Sequence, residues 1–231
     1  MADGTEPSHF VFPRWANLLL PVAILGVLGV PPYLATVMVY GLSPGTIAVG
    51  YAPEQPVEYS HALHVGELGL DCRYCHTTVE DAEFAAIPPT QTCLNCHNDV
   101  TKLRWDAQTM LPVKQAAASE MPIPWVKVHD LPDYAYFNHA AHVNKGVGCV
   151  ECHGRVDKME VVYQAEALSM GWCLDCHREP EMHLRPRDKV TIMDWGLDMT
   201  DEERLEVGRS LAEEYGVRSP RQLTDCSVCH R

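Results

Sequence analysis

The hydropathy of the chain changes sharply after its first fifty residues. No residue from Trp15 to Ala52 is charged, and the stretch from Ala16 to Leu42 is apolar enough to cross a bilayer. This run is longer than the apolar region of a cleavable signal peptide, so it predicts a retained transmembrane helix over residues 15–43. Pro21, Pro31 and Pro32 predict a kink or local unwinding, suited either to a helix packed in a larger membrane assembly or to a lone, bent anchor.

Charges on either side of this run predict its orientation. Arg14 precedes the run, whereas Glu54 and Glu58 follow it. The positive-inside rule therefore places residues 1–14 in a cytoplasmic tail, with His9 at its surface, and the domain 52–231 outside the plasma membrane, on the periplasmic side.

Beyond the membrane run, the pattern predicts a mostly α fold with much irregular structure. The 17 prolines and 15 glycines favour loops, and no run of alternating residues is long enough to indicate a sheet. The clearest helix should begin at Asp201 and end at Tyr215, with Thr200 and Glu203 forming a capping box and Gly216 as the stop. Leu205, Leu211 and Tyr215 should form its buried stripe. The segment 101–133 contains four prolines and is predicted to be a surface linker.

All ten cysteines fall into five Cys-x-x-Cys-His motifs, and none is left over. One such motif could be half of a zinc site or a redox dithiol, but five that use every cysteine indicate covalent attachment of c-type haem. The predicted cofactors are five c-type haems, and helical turns are expected at each motif. The cysteines that would form thioethers are Cys72, Cys75, Cys93, Cys96, Cys149, Cys152, Cys173, Cys176, Cys226 and Cys229, and the proximal iron ligands would be His76, His97, His153, His177 and His230.

The net charge of -13 limits the partners of the domain. An acidic surface argues against nucleic acid and is compatible with docking a basic electron carrier. Because five haems share the residues after the membrane run, the porphyrins should supply much of the buried apolar surface.

An internal repeat organises the haem domain. The runs Tyr59-Ser60-His61-Ala62-Leu63-His64 and Phe137-Asn138-His139-Ala140-Ala141-His142 each precede two attachment motifs. Self-similarity of this kind predicts two dihaem modules, at about 55–100 and 134–180, followed by a single-haem extension at 200–231. Recurrence of the four extra histidines ahead of paired motifs favours iron ligation over a structural role.

The aromatic-x-His-x-x-His run ahead of Cys-x-x-Cys-His resembles the class III multihaem cytochromes. That resemblance implies that His61 and His64 are the distal ligands of the first and second haems. It likewise implies that His139 and His142 serve the third and fourth. The fifth haem needs a ligand from elsewhere, with His129 favoured and Met170, His183 or Met159 as alternatives.

A further resemblance covers essentially the whole chain. The stretch from Val128-His129-Asp130-Leu131-Pro132 through His153, followed by Met170-Gly171-Trp172-Cys173, is similar to the pentahaem cytochrome subunits of alternative complex III, a quinol:electron acceptor oxidoreductase. The resemblance implies an electron-transfer subunit of the respiratory chain with no catalytic site of its own. Its expected partners are the membrane, an integral quinol-oxidising subunit and an iron–sulfur subunit. The downstream acceptor would be a cytochrome, a cupredoxin or a terminal oxidase.

Two other function classes compete with electron relay. A self-sufficient, membrane-anchored multihaem quinol dehydrogenase would need a quinone pocket, which a single span forms poorly. A haem enzyme such as a nitrite reductase would need an open iron, but all five motifs end in histidine and further histidines are available. A high-spin iron signal would favour either of these classes.

Overall fold

A computed structural model describes residues 13–41 and 48–230, without the side chain of Arg14. The chain divides into two compact units, one ending at Thr46 and the other beginning at Ile47. The predicted cytoplasmic tail up to residue 12, including His9, and the end of the predicted span at residues 42 and 43 lie outside the described residues.

The N-terminal unit contains one long apolar helix. A 3₁₀ turn at Arg14–Leu18 leads into helix α1, Leu19–Gly41. The span Trp15–Gly41 has 27 residues and a mean hydropathy of 2.0, so by length and composition it could cross a membrane. Helix α1 continues through Pro31 and Pro32 without local unwinding, although each ring removes one backbone donor, and the predicted alternative, a kink, stays a prediction.

The second unit is built from short helices. Among residues 48–230 only the helix Asp201–Glu214 exceeds nine residues, and 3₁₀ turns lie at Gln108–Met110, Val156–Lys158, Pro180–His183 and Arg187–Lys189. A π-helical turn covers Ala62–Glu67. The α-helices are α2 Cys72–Cys75, α3 Thr90–Leu94, α4 Leu111–Ser119, α5 His139–Val143, α6 Cys149–His153, α7 Met170–Arg178, α8 Asp201–Glu214, α9 Pro220–Leu223 and α10 Cys226–Cys229.

Extended structure is nearly absent from residues 13–41 and 48–230. One isolated antiparallel bridge joins Val147 to Leu184, and no strand is formed there. The mostly helical fold predicted from the sequence is confirmed for the described residues.

The capping box of α8 is present as predicted. The hydroxyl of Thr200 accepts from the backbone N–H of Glu203, and the Glu203 carboxylate accepts from the N–H of Thr200. These two bonds satisfy donors that the first helical turn leaves unpaired. Leu211 and Tyr215 are buried with Leu184, whereas Leu205 is only half-buried.

Segment 101–133 is more than the surface linker predicted from its prolines. It folds into α4, and the buried residues Met110, Val113, Ala116 and Ile123 form a hydrophobic cluster. Val57, Leu94 and Trp125 pack against this cluster. The segment therefore braces the helix that carries the second attachment motif, because apolar spacing in α4 outweighs the flanking prolines.

Candidate haem-binding site

Each attachment motif lies on a helical turn, as expected. The histidine N–H bonds the carbonyl of the first cysteine in three motifs, at 2.9 Å each for His76, His97 and His230. His153 and His177 lie within α6 and α7. The second cysteine and the histidine of each motif therefore follow the first cysteine within one turn, which is a purely local consequence of the spacing.

Aspartate and serine caps fix where three of the motif helices start. Asp71 accepts from the N–H of Arg73 at the start of α2, and Asp225 accepts from that of Ser227 at the start of α10. Ser169 caps α7 in the same way. These caps place Cys72 and Cys226 at the first position of their helices and Cys173 at the fourth position of α7.

The two repeated runs have closely matching ring geometry. Tyr59 stacks on His64 with centroids 4.4 Å apart, and Phe137 stacks on His142 at 4.5 Å. The same aromatic rings meet His61 and His139 edge-on, both at 4.8 Å. The backbone differs, because the first run forms the π-helical turn and the second forms α5. One aromatic side chain thus orients both histidines of each run.

Three predicted pairs of histidines are brought together by the structure. The centroid separations are 6.2 Å for His64–His97, 6.4 Å for His139–His153 and 6.2 Å for His142–His177. With metal–nitrogen bonds of about 2 Å, two imidazoles on opposite sides of one metal would have centroids roughly 6.3 Å apart. The observed separations match that value.

The Nδ1 atoms of most of these histidines are already engaged. The acceptors are backbone carbonyls: Ser60 for His64, Ala86 for His76, Leu103 for His97, Glu83 for His139, Asn138 for His142, Leu223 for His177 and Tyr134 for His230, at 2.7 to 3.0 Å. A bond of this kind fixes the tautomer with the lone pair on Nε2, which is how metal-ligating histidines are usually oriented.

The environment of the first and third motifs is strongly desolvating. Burial, with a smaller contribution from nearby His76, lowers the pKa of His61 to about 4. Burial and then the neighbouring His129 lower the pKa of His153 to about 3. Neutral imidazole is the form that binds iron, so both side chains are held in the ligating state at neutral pH.

Cysteines of the first and third motifs influence each other's ionisation. The Cys149 side chain raises the pKa of Cys72, and the Cys72 side chain lowers that of Cys149. Burial, with weaker repulsion from Cys176, raises the pKa of Cys152 to about 12. None of the ten cysteines forms a disulfide, so all of them are available for thioether bonds.

The residues considered for the fifth iron lie in different places. His129 contacts His153 edge-on at 4.5 Å, and its Nε2 is buried without a hydrogen-bond partner. Met170 is exposed, and Met159 is buried with its carbonyl bonded to the N–H of Ala62. His183 donates through Nδ1 to the Glu151 carboxylate at 3.0 Å.

Sequence reasoning missed a charged cluster beside the third motif. Glu151, inside the Cys149–His153 motif, binds Arg185 at 2.6 Å as well as His183. The Arg185 side chain is only 5 % exposed, and its guanidinium fills the space beside Gly148. The glutamate between the two attachment cysteines could have indicated this cluster, because a buried carboxylate needs a positively charged partner nearby.

The described residues fit haem. Paired imidazoles stand at the separation that one iron between them would require, and five of the six Nδ1 atoms, all but that of His153, bond backbone carbonyls. His61 Nδ1 and Arg185 Nε are buried polar atoms without a partner among the described residues. Such atoms favour a further polar group in the assembled domain.

Comparisons with known proteins support the same chemistry. Residues 135–231 match the family described as cytochrome c7 and related cytochrome c. A stretch of 100 residues, 43% of the chain, is 38% identical to the menaquinone reductase, multiheme cytochrome c subunit, of Nitratidesulfovibrio vulgaris. That stretch spans 46% of the relative, so the chain covers about half the length of this curated protein. The five attachment motifs and these two partial matches are the features expected of a multihaem cytochrome c.

Proposed function

We propose that this chain binds five c-type haems and relays electrons from a quinol-oxidising membrane complex to a periplasmic acceptor or a terminal oxidase. The observation that carries the proposal is the set of three histidine pairs at 6.2 to 6.4 Å. Two strong protein ligands make an iron six-coordinate and low-spin, which suits electron transfer rather than substrate binding.

The proposal assigns distal ligands by these pairs. His64 serves the second haem with His97, His139 serves the third with His153, and His142 serves the fourth with His177. His61 serves the first haem, because it lies near His76 and is held neutral by burial. For the fifth haem, His129 and Met170 remain the candidates.

The chain's own residues hold and tune these groups. Each cysteine pair would anchor one porphyrin, and the carbonyls bonded to Nδ1 raise the basicity of the imidazoles and keep their planes fixed. When bound, haem supplies a one-electron redox centre. The matched geometry around Tyr59 and Phe137 supports two dihaem modules, 55–100 and 134–180, followed by the single-haem extension at 200–231.

Membrane attachment follows from the N-terminal unit. The span Trp15–Gly41 would anchor the chain in the plasma membrane by a single pass, with the haem domain on the periplasmic side. In this proposal the partners are an integral quinol-oxidising subunit and an iron–sulfur subunit, as in alternative complex III. The chain itself then has no catalytic site.

A second candidate function reverses the direction of electron flow. The relative from Nitratidesulfovibrio vulgaris is a subunit of a menaquinone reductase, which favours delivery of electrons to a quinone. Both candidates use the same haem relay, and they differ in which redox partner donates. The two candidates are distinguished by mixing the assembled complex first with a reduced quinol analogue and then with a reduced soluble cytochrome. Only the true donor should reduce the haems rapidly and in an inhibitor-sensitive way.

The haem content is tested by the mass of the denatured full chain. Five haem increments are expected, and alkylating reagents should find no free thiol. An increment of four or fewer, or a thiol that reacts, contradicts the assignment of at least one motif.

The relay role is tested on the isolated chain in detergent. A reduced quinol analogue should not reduce its haems rapidly, whereas dithionite should reduce them fully. Rapid, inhibitor-sensitive reduction by the quinol analogue would instead support a self-sufficient quinol dehydrogenase.

A further inference from the structure

We infer that the five haems lie along one unbranched path whose order differs from the order of their motifs in the sequence. The path begins at the second motif, turns through the first, and then continues through the third, fourth and fifth. The inference rests on the proposed haem content and goes beyond it, because it assigns the neighbours of each haem and the two ends of the path. Along the path, the haems are those of the motifs Cys93–His97, Cys72–His76, Cys149–His153, Cys173–His177 and Cys226–His230.

The first two motifs are joined through the π-helical turn. His61 and His64 stand three residues apart, and the ring of Tyr59 contacts both. Because His64 pairs with His97 while His61 belongs with His76, this turn ties the second haem to the first. The amide of Asn95, inside the second motif, also donates to the hydroxyl of Tyr74 inside the first, at 2.9 Å.

The first and third motifs share a backbone segment. The carbonyl of Ala86 holds His76 Nδ1 at 2.7 Å, and the carbonyl of Glu83 holds His139 Nδ1 at 2.8 Å. Residues 83–86 therefore orient the proximal ligand of the first haem and the distal ligand of the third. Two ligands held by four consecutive residues must belong to neighbouring irons.

A second contact joins the same two motifs from their other side. Thr191 donates to the carboxylate of Asp71, the residue before Cys72, at 2.9 Å. Val190, next to Thr191, accepts from the N–H of Cys149 at 3.0 Å. Two consecutive residues, Val190 and Thr191, therefore hold the starts of the third and first motifs beside each other.

Helix α5 joins the third and fourth motifs. His139 pairs with His153 and His142 pairs with His177, and the two distal histidines lie on one face of a single helical turn. Phe137 contacts both of their rings. This connection repeats the one that Tyr59 makes between the first two motifs.

The fourth and fifth motifs are joined at α9. The last residue of α9, Leu223, accepts from His177 Nδ1 at 3.0 Å, and Cys226 follows three residues later. Tyr136 also donates its N–H to the carbonyl of Cys229 at 2.8 Å, beside the Phe137 ring that stacks on His142. The fifth haem is thus attached to the far end of the row, next to the fourth.

Exposure marks the same two ends independently. Cys96 in the second motif and Cys226 in the fifth are exposed, whereas the other eight cysteines are partly buried. Because tunnelling rates fall steeply with distance, redox partners exchange electrons with haems whose edges reach the surface. The second and fifth haems are therefore the two ports of the relay, and the first, third and fourth are internal.

The direct test locates the irons of the holoprotein by anomalous diffraction or high-resolution cryo-electron microscopy of the full chain. Each thioether pair identifies its motif. The haem of Cys93 should have only the haem of Cys72 as a near neighbour, and the haem of Cys226 only that of Cys173. If the haem of Cys93 lies nearest to that of Cys149, or if the arrangement is branched, the inference is wrong. A mass of five haems would still be found, so the failure of the inference is distinguishable from that of the proposed function.

A solution experiment tests the same order. Cys93→Ala/Cys96→Ala removes an end of the proposed path, and the matched Cys72→Ala/Cys75→Ala variant removes the haem next to that end; both should carry four haems by mass. After flash photoreduction at limiting electrons, the end variant should equilibrate among its four haems in one fast phase. The matched variant should show at least a tenfold slower phase, because the second haem is then separated from the other three, whereas motif order would exchange the two results. Equal kinetics in two folded variants would contradict the proposed order, and if either variant fails to fold, the iron map decides.

Discussion

The rings of His142 and His177 lie within 20° of parallel, with their centroids 6.2 Å apart. Each ring is fixed by a hydrogen bond from Nδ1 to a different part of the backbone. His142 donates to the carbonyl of Asn138, and His177 donates to that of Leu223. Two independently anchored imidazoles that face each other at this separation would be a preorganised pair of ligands for one iron in the proposed relay.

Replacement of His142 by alanine should open one iron. The fourth haem would keep only its proximal ligand, so about one fifth of the haem should become high-spin and bind carbon monoxide when reduced. Electron paramagnetic resonance and carbon monoxide difference spectra measure this change. Ala141→Ser, at an exposed position of the same helix, is the control and should stay low-spin. A low-spin H142A protein would show that His142 is structural.

Replacement of Gly208 by alanine should destabilise the domain. Alanine favours a helix by about 1 kcal/mol over glycine, but a Cβ here would clash with the carbonyl oxygen of Glu181. A backbone carbonyl cannot rotate away as a side chain can. The cost of overpacking, about 1–3 kcal/mol or more in free energy of unfolding, should therefore exceed the gain in helix propensity. Denaturant unfolding of the holoprotein gives the difference.

Gly171→Ala is the matched control for Gly208. Its Cβ would meet nothing nearer than the Ser169 hydroxyl at 3.9 Å, so stability should stay unchanged or increase. Should Gly208→Ala prove as stable as the wild type, the close packing of α8 on the Pro180–His183 turn would be incorrect.

Loss of the α8 cap should have a smaller effect. Thr200→Ala leaves the N–H of Glu203 without its acceptor, and removal of such a cap costs about 0.5–2 kcal/mol. The measurement is the shift of the unfolding midpoint. Ser210→Ala, an exposed substitution inside the same helix, should not destabilise the protein. Equal shifts for the two variants would refute a capping role.

The carboxylate of Asp71 should make stability depend on acid pH. Its hydrogen bond with the Arg73 guanidinium lowers the Asp71 pKa to about 2, against the opposing effect of partial burial. Because the folded pKa is depressed, the stabilisation is present above the unfolded pKa of about 3.9 and is lost as the pH falls towards 2. Arg73 also binds Glu80, and Asp71 accepts from Thr191.

Asp71→Asn tests this dependence. The free energy of unfolding of the wild type minus that of the variant should be constant above about pH 5 and shrink towards pH 2. The effect should be modest, since the Asp71 side chain is 42% exposed. Asp188→Asn, at an exposed carboxylate paired with Lys189, should show little such change. A difference that stays constant down to pH 2 would exclude the assigned role of Asp71.

Features that depend on neighbouring residues were predictable from the chain. The capping box at Thr200, the apolar span before Gly41 and the helical turn at each motif all depend on groups within a few positions, and the structure confirms them. The burial of Leu211 and Tyr215 followed from helical spacing, while the half-exposure of Leu205 did not, because spacing defines a face but not how far the packing extends.

Features that join remote segments were decided only by the tertiary structure. Nothing local in Gly208 indicates that the Glu181 carbonyl lies against it, and the prolines of segment 101–133 concealed the cluster around Val113. The sequence by itself determined that ten cysteines and five histidines form five haem-attachment motifs, because each motif is complete within five residues. Tertiary packing decided which motifs are neighbours, for example by placing residues 83–86 against both His76 and His139. Contacts between distant segments arise from many small energy terms, and no short sequence pattern records their sum.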